Sequence, residues 1–191
     1  MCTGQKKKVV LGNGKNACVS CVIELLTITK GKDPSRSTDN DKIVEAERHK
    51  KIGNDLFKQK RPVDAFHRFN KAIRLVIFLH DPQALLKDWN LLYTSLCNNM
   101  AACQLEFNNY EYAKQLLDKV LATDKENIKA LMRRCRASAE LKMYDRTLAD
   151  AKSVLAVEPN NAVGKKYEEI AVEALRLQNV NYKNMVKKMF I

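Results

Sequence analysis

The sequence predicts an all-α fold: three helix pairs stacked as a right-handed helical solenoid, closed by a C-terminal capping helix and preceded by a short strand-like or disordered segment. Its 191 residues include only 6 glycines and 4 prolines beside 46% hydrophobic residues, which favours helices around a substantial core. From Lys42 onwards the apolar residues recur at helical spacing. A repeated pattern of small residues, described below, then selects the architecture.

The N-terminal segment, 1–41, differs in character from the rest of the chain. Residues 17–29, ACVSCVIELLTIT, are rich in β-branched side chains and predict one strand without a partner. Residues 31–41, GKDPSRSTDND, have the composition of a linker. The start lacks the apolar core of a signal peptide, and no apolar stretch approaches the roughly 20 residues that span a bilayer. We therefore expect a protein of the cytoplasm, and also of the nucleus, that does not bind membranes.

A repeat organises residues 42–161. In each unit a small residue precedes a second small residue by 12 positions, and the second members of the last two units, Ala113 and Thr147, are 34 residues apart. This is the period of the tetratricopeptide repeat (TPR), in which two antiparallel helices touch through small side chains. The units span about 46–79, 94–127 and 128–161, and residues 162–191 form the capping helix. The paired positions are Gly53 with Ala65, Ala101 with Ala113, and Cys135 with Thr147.

Polar residues recur on the first helix of each unit, which lines the concave side of such a stack. Residues four apart share one face of a helix, and two such pairs occur in the first and third units. The second unit adds an asparagine two positions before its small residue. We expect five side chains to point into one groove: Lys50, Asn54, Asn99, Lys129 and Arg133.

These residues, in the strings KKIGN, NMAAC and KALMR, resemble the dicarboxylate clamp of TPR co-chaperones. The resemblance implies binding of the C-terminal Glu-Glu-Val-Asp (EEVD) tail of heat shock protein 90 or 70, and a link from that chaperone to a client protein. The chemistry agrees, because lysine, arginine and asparagine all donate hydrogen bonds, and such a tail ends in two carboxylates. The neighbouring Arg134 and Arg136 are expected to lie on other faces.

A closer resemblance is to the large immunophilins, and within them to a divergent FKBP-like branch. The strings NMAACQL, LKMYDRTLAD and VKKMF carry it, and CVIELLTITKGKD is similar to the last strand of an FKBP domain with its linker. An FKBP barrel needs about a hundred residues, whereas about forty precede the repeats here. The resemblance therefore implies a remnant strand, or a shortened form of a longer protein, and no prolyl isomerase activity.

Other functions receive less support from the sequence. The GNGK string at 12–15 lacks the remainder of a phosphate-binding loop, the histidines show no ligand spacing, and the lone CVSC pair (Cys18 and Cys21) is weak evidence for zinc. We expect no enzyme activity, no cofactor and no bound metal. The net charge of +12 permits RNA binding, but a pattern of base-stacking aromatic residues interleaved with the basic ones is not evident. The main alternative is a TPR scaffold for another acidic or apolar peptide.

Overall fold

The computed structural model describes residues 6–13, 17–24, 38–77, 79 and 86–189. The chain divides into two compact units, Met1–Ser37 and Thr38–Ile191. The expected linker at 31–41 therefore overlaps the end of the first unit and the beginning of the second.

The first unit contains two strands where the sequence predicts one. Strand β1, Lys6–Asn13, pairs antiparallel with β2, Ala17–Glu24, in a register that places Val9 opposite Cys21. The expectation of an unpaired strand is thus wrong, because β1 supplies the hydrogen-bonding partner. Its central Val9, Val10 and Leu11 favour a strand, but this apolar run is short and is flanked by lysines and glycines, which are typical of exposed loops. The last five residues of the predicted strand, 25–29, lie outside the described residues.

The second unit is the all-α repeat structure that the spacing predicts. Its described residues form α1 (Asp39–Lys58), α2 (Pro62–Ile77), α3 (Leu86–Glu106), α4 (Tyr110–Thr123), α5 (Ile128–Glu140), α6 (Tyr144–Val157) and α7 (Ala162–Met189). Helices adjacent in the chain pack together, and α1, α3 and α5 also contact one another in succession, as α5 does α7.

Local signals in the sequence fix the ends of the helices. Thr38 caps α1 in a reciprocal arrangement with Asp41, in which each side chain accepts a hydrogen bond from the other residue's backbone N–H. Within each pair the turn passes through one residue with positive φ: Lys60 (61°), Asn108 (56°) and Lys142 (58°). The last two are 34 positions apart, so the repeat extends to the conformation of its turns.

The connection between the first two helix pairs lengthens α3. This helix begins at Leu86, eight residues before the start of the second predicted repeat at 94. The indole N–H of Trp89 donates to the carbonyl of Val76 at 2.9 Å, and its ring stacks on Tyr93 with centroids 5.1 Å apart. These contacts join the added turns of α3 to the end of α2. The sequence favours a turn at Asp81-Pro82, between α2 and α3, but these two positions lie outside the described residues.

The small residues of the repeat lie where the paired helices meet. All three pairs are buried, and the thiol of Cys135 approaches the carbonyl of Thr147 at 3.8 Å. Around them large side chains fill the space between pairs, as close packing requires. The fully buried large residues include Phe69, Leu96, Leu117, Val120 and Val154.

We expect Gly53→Ala to destabilise the domain. An added Cβ at Gly53 would lie 2.5 Å from Cε1 and 2.8 Å from Cδ1 of Phe69, whose ring is 1% exposed and has little room to move. Overpacking of this kind costs about 1–3 kcal/mol, which exceeds the roughly 1 kcal/mol that alanine gains in helix propensity. Thermal unfolding followed by circular dichroism measures the net loss.

The control for this prediction is a double-mutant cycle with Phe69→Leu, which removes the ring that the new methyl group would strike. The cost of Gly53→Ala should shrink in the Phe69→Leu background. An equal cost in both backgrounds would show that the steric explanation is wrong.

Candidate functional site

The first helices of the pairs bring most of the predicted polar residues together. Asn54 on α1 and Asn99 on α3 are joined directly, because the amide nitrogen of Asn99 donates to Oδ1 of Asn54 at 2.9 Å. Lys129 and Arg133 lie one turn apart on α5. The contacts of α1 with α3 and of α3 with α5 therefore place these four residues on the inner layer of the stack.

Two adjoining cavities form a groove along this inner layer. The smaller, of about 190 Å³, is lined by Asn54, Asn99 and Arg133 among others. The larger, of about 500 Å³, includes Lys129 and Arg133 and reaches α7. Arg133 lines both cavities, so its guanidinium lies at their junction. The other residues that line this groove are Phe57, Lys58, Phe69, Ala102, Leu105, Glu106, Met132, Arg136, Val163, Lys166 and Tyr167.

Arg133 is held by a neutral partner. One terminal nitrogen, Nη1, donates to the backbone carbonyl of Asn98 at 3.0 Å and also to the side-chain oxygen of Asn98. Burial lowers the pKa of the guanidinium, although arginine keeps its charge at neutral pH. Among the described side chains, no carboxylate forms an ion pair with Arg133 or with Lys129. Arg133 is therefore a partly buried positive charge in a groove that exposed lysines, among them Lys129, also line.

Lys50 differs from the other four predicted residues. Its Nζ forms an ion pair with Glu47 of the same helix at 2.8 Å, and it lines neither cavity. It lies one turn from Asn54 on α1. A ligand that used Lys50 would have to compete with Glu47 for its ammonium group.

The other arginines of α5 have acidic partners. Arg134 makes a two-pronged contact with Asp150, at 2.8 and 2.7 Å, and a third contact with Asp118 at 2.6 Å. Arg136 pairs with Glu106 at 3.3 Å. Arg134 is thus a structural link between α5, α4 and α6, while Arg136, expected to lie on another face, lines the larger cavity.

Several residues at or beside the groove were not among those predicted from the sequence. Phe57 lies three residues after Asn54 and therefore on the same face of α1, a signal that the sequence does contain. Lys58, which is exposed, also lines the smaller cavity. Asn98 carries no repeat signal, and the side chains from α7 belong to a helix expected to act only as a cap.

Cys97, Cys103 and Cys135 are buried free thiols. Burial raises the pKa of the thiols of Cys103 and Cys135 to about 12, so neither is a nucleophile at neutral pH. Within the described part of the chain, no three histidine, cysteine or acidic residues cluster as metal ligands would. Nor does any described helix combine the length and apolarity needed to cross a bilayer. Cys18 and Cys21 both belong to β2.

Fold and groove together define the class: the second unit is a three-repeat TPR domain with an additional C-terminal helix. The solved C-terminal TPR-containing domain of a FK506-binding protein from Plasmodium falciparum supports this assignment. It is 26% identical, with a TM-score of 0.71 over 77% of this chain and 99% of that chain.

The sequence resembles the FK506-binding protein-like protein of Rattus norvegicus, with 32% identity over 168 residues. The match covers 88% of this chain but 47% of that relative, so the chain spans about half the length of the curated relatives it matches. The resemblance to FKBP-like immunophilins predicted from the sequence is confirmed. No family model matches the chain.

Two further solved structures contain peptides. The myosin chaperone UNC-45 from C. elegans, in complex with a Hsp90 peptide, is 25% identical with a TM-score of 0.61, covering 75% of this chain and 15% of that chain. The first TPR of Spaghetti (RPAP3), bound to the HSP90 peptide SRMEEVD, is 24% identical with a TM-score of 0.59, covering 70% and 95%. The second likeness concerns the fold alone.

Proposed function

We propose that this chain is a co-chaperone adaptor whose groove binds the C-terminal EEVD tail of heat shock protein 90 or 70 and links that chaperone to a client protein. The observation that carries the proposal is that Arg133 and Lys129, one turn apart on α5, line the groove and form no ion pair with a described carboxylate. Leaving a partly buried charge unpaired costs free energy, and a carboxylate from a ligand would supply the missing ion-pair partner.

Each proposed contact follows from the chemistry of the residues. Arg133 offers N–H groups in a planar fork to one carboxylate, and Lys129 adds a mobile ammonium from one turn away. The amides of Asn54 and Asn99 donate to the terminal carboxylate without adding charge. Lys50 also contacts the ligand carboxylate once its ammonium group has left Glu47. Hydrogen bonds between charged groups contribute about 1.5–3 kcal/mol each, so a few of them produce useful affinity.

The UNC-45 likeness supports this proposal, because that myosin chaperone was solved in complex with a Hsp90 peptide. The absence of isomerase activity and the cytoplasmic or nuclear location remain predictions of the same proposal. The alternative, a TPR scaffold for another acidic or apolar peptide, makes a different prediction about the ligand's terminus.

The test is calorimetric titration of the full chain with the peptide Met-Glu-Glu-Val-Asp as the free acid and with the same peptide amidated at its C-terminus. We expect the free acid to bind and the amide to bind about tenfold or more weakly, since one charged contact is lost. A scrambled peptide of equal charge is the control. Equal binding of acid and amide would favour the alternative scaffold, and binding of the scrambled peptide would indicate unspecific attraction to the basic chain.

A further inference from the structure

Asn98 contacts Arg133, which lines both cavities, while Asn98 itself lines neither. It lies on α3 directly before Asn99, and it is 8% exposed. Both of its oxygens, the backbone carbonyl and the side-chain Oδ1, accept from Nη1 of Arg133. Asn98 therefore engages one corner of the guanidinium, and the Nη2 and Nε groups are left to other partners.

The amide of Asn98 is itself held in place. Its Nδ2 lies 3.4 Å from Oδ1 of Asn127, and that oxygen also caps α5 by accepting from the backbone N–H of Ala130 at 3.0 Å. The amide of Asn127 in turn donates to Asp124 at 3.0 Å. These contacts connect the loop before α5 to the guanidinium on the same helix, through a residue of α3.

A comparison of neighbouring arginines shows what this arrangement does. Arg134 is bound by two carboxylates and is neutralised as well as oriented. Arg133 is oriented by an amide, which accepts its hydrogen bond and leaves its full charge uncompensated. A side chain that is already ordered loses less rotamer entropy when a ligand binds.

We propose that Asn98 is a positioning residue that aims Arg133 into the groove while keeping it available to a carboxylate. This inference rests on the proposed function, and it assigns a role to a residue outside the five predicted clamp positions. It also implies that the side chain of residue 98 must be a neutral acceptor: an acid there would form an ion pair with Arg133, and an apolar residue would leave Arg133 held by the backbone carbonyl alone.

The test compares Asn98→Asp and Asn98→Leu with the parent, by titration with the free-acid Met-Glu-Glu-Val-Asp peptide and by thermal unfolding. Asn98→Asp keeps the shape and adds an ion pair with Arg133, which offsets the loss of the long 3.4 Å donation to Asn127, so we expect a melting temperature near the parent's together with about tenfold weaker binding. Asn98→Leu should weaken binding because Arg133 then has only the backbone carbonyl of residue 98 to hold it. Asn109→Asp, which adds the same charge at an exposed position with no side-chain capping bond, should bind like the parent.

If Asn98 had a merely structural role, affinity and melting temperature would fall together. If it positions Arg133, Asn98→Asp lowers the affinity without a matching fall in melting temperature. Parent-like binding by Asn98→Asp would overturn the inference. A second measurement needs no ligand: ¹⁵N relaxation of the Arg133 guanidinium in the free chain should show an ordered side chain that becomes more mobile in Asn98→Leu, where one of its two acceptors is lost. Equal mobility in both would overturn the positioning role. Failure of the parent to bind peptide would instead overturn the proposed function, while the relaxation result would still decide the role of Asn98.

Discussion

Replacing Arg133 with alanine is expected to abolish measurable binding of the free-acid Met-Glu-Glu-Val-Asp peptide while the domain stays folded. Arg133 lines both cavities, is partly buried and pairs with no described carboxylate, so its removal takes away a charged contact that no neighbour replaces. Loss of a desolvated charged partner costs about 2–5 kcal/mol, or about 30-fold or more in affinity. Calorimetric titration measures the loss, and thermal unfolding checks the fold.

Two substitutions serve as matched controls for Arg133→Ala. Arg136→Ala removes an arginine from the same helix and the same cavity, but one already paired with Glu106, and we expect a much smaller loss. Arg133→Lys retains the charge without the planar fork and should give intermediate affinity. If Arg133→Ala bound like the parent, or lost no more than Arg136→Ala, the assignment of Arg133 to the ligand would be wrong.

Replacing Asp150 with alanine is expected to produce a large loss of stability. Asp150 accepts two hydrogen bonds from Arg134, and the two side chains are 6% and 12% exposed. Removing one partner of a buried pair costs about 3–5 kcal/mol, because the other charge stays buried. We expect the lower end of this range, since Arg134 retains Asp118. For a domain of this size, about 3 kcal/mol lowers the melting temperature by about 6–12 °C.

Asp118→Ala is the natural control for Asp150→Ala. Asp118 also forms an ion pair with Arg134, but its side chain is 38% exposed. Water can therefore replace the carboxylate, and the loss of stability should be well below that of Asp150→Ala. A double replacement, Arg134→Met with Asp150→Leu, should recover part of the stability by removing both buried charges. Equal melting temperatures for parent and Asp150→Ala would contradict this account of the pair.

The fold could be predicted because its signal is local and periodic. Gly53 and Ala65 are small for one reason, the close contact of paired helices, and the sequence repeats that requirement in each unit. The two strands show the limit of such reasoning: β2 is recognisable alone, whereas β1 has a short apolar centre between polar ends. Similarly, α3 extends to Leu86 through contacts of Trp89 that no repeat pattern encodes.

The groove was predictable only to the extent that it follows the repeat register. Asn54 and Asn99 were predicted to share a surface, and the structure joins them by a hydrogen bond. Their role in binding remains a prediction. The contact between Asn98 and Arg133 spans 35 positions and depends on how α3 packs against α5, so spacing alone could not reveal it. The pairing of Lys50 with Glu47 is local, yet the sequence cannot say which partner a lysine prefers.

The packing of helices in chain order also has a consequence for how the domain reaches its native state. Each helix from α1 to α7 packs on the next, and the further contacts join helices two places apart. Contacts so close in sequence require the closure of short loops only, which places the domain among rapidly folding proteins and permits folding to begin at more than one pair. The groove, which needs α1, α3 and α5 together, would then form late, after each helix pair has its own contacts.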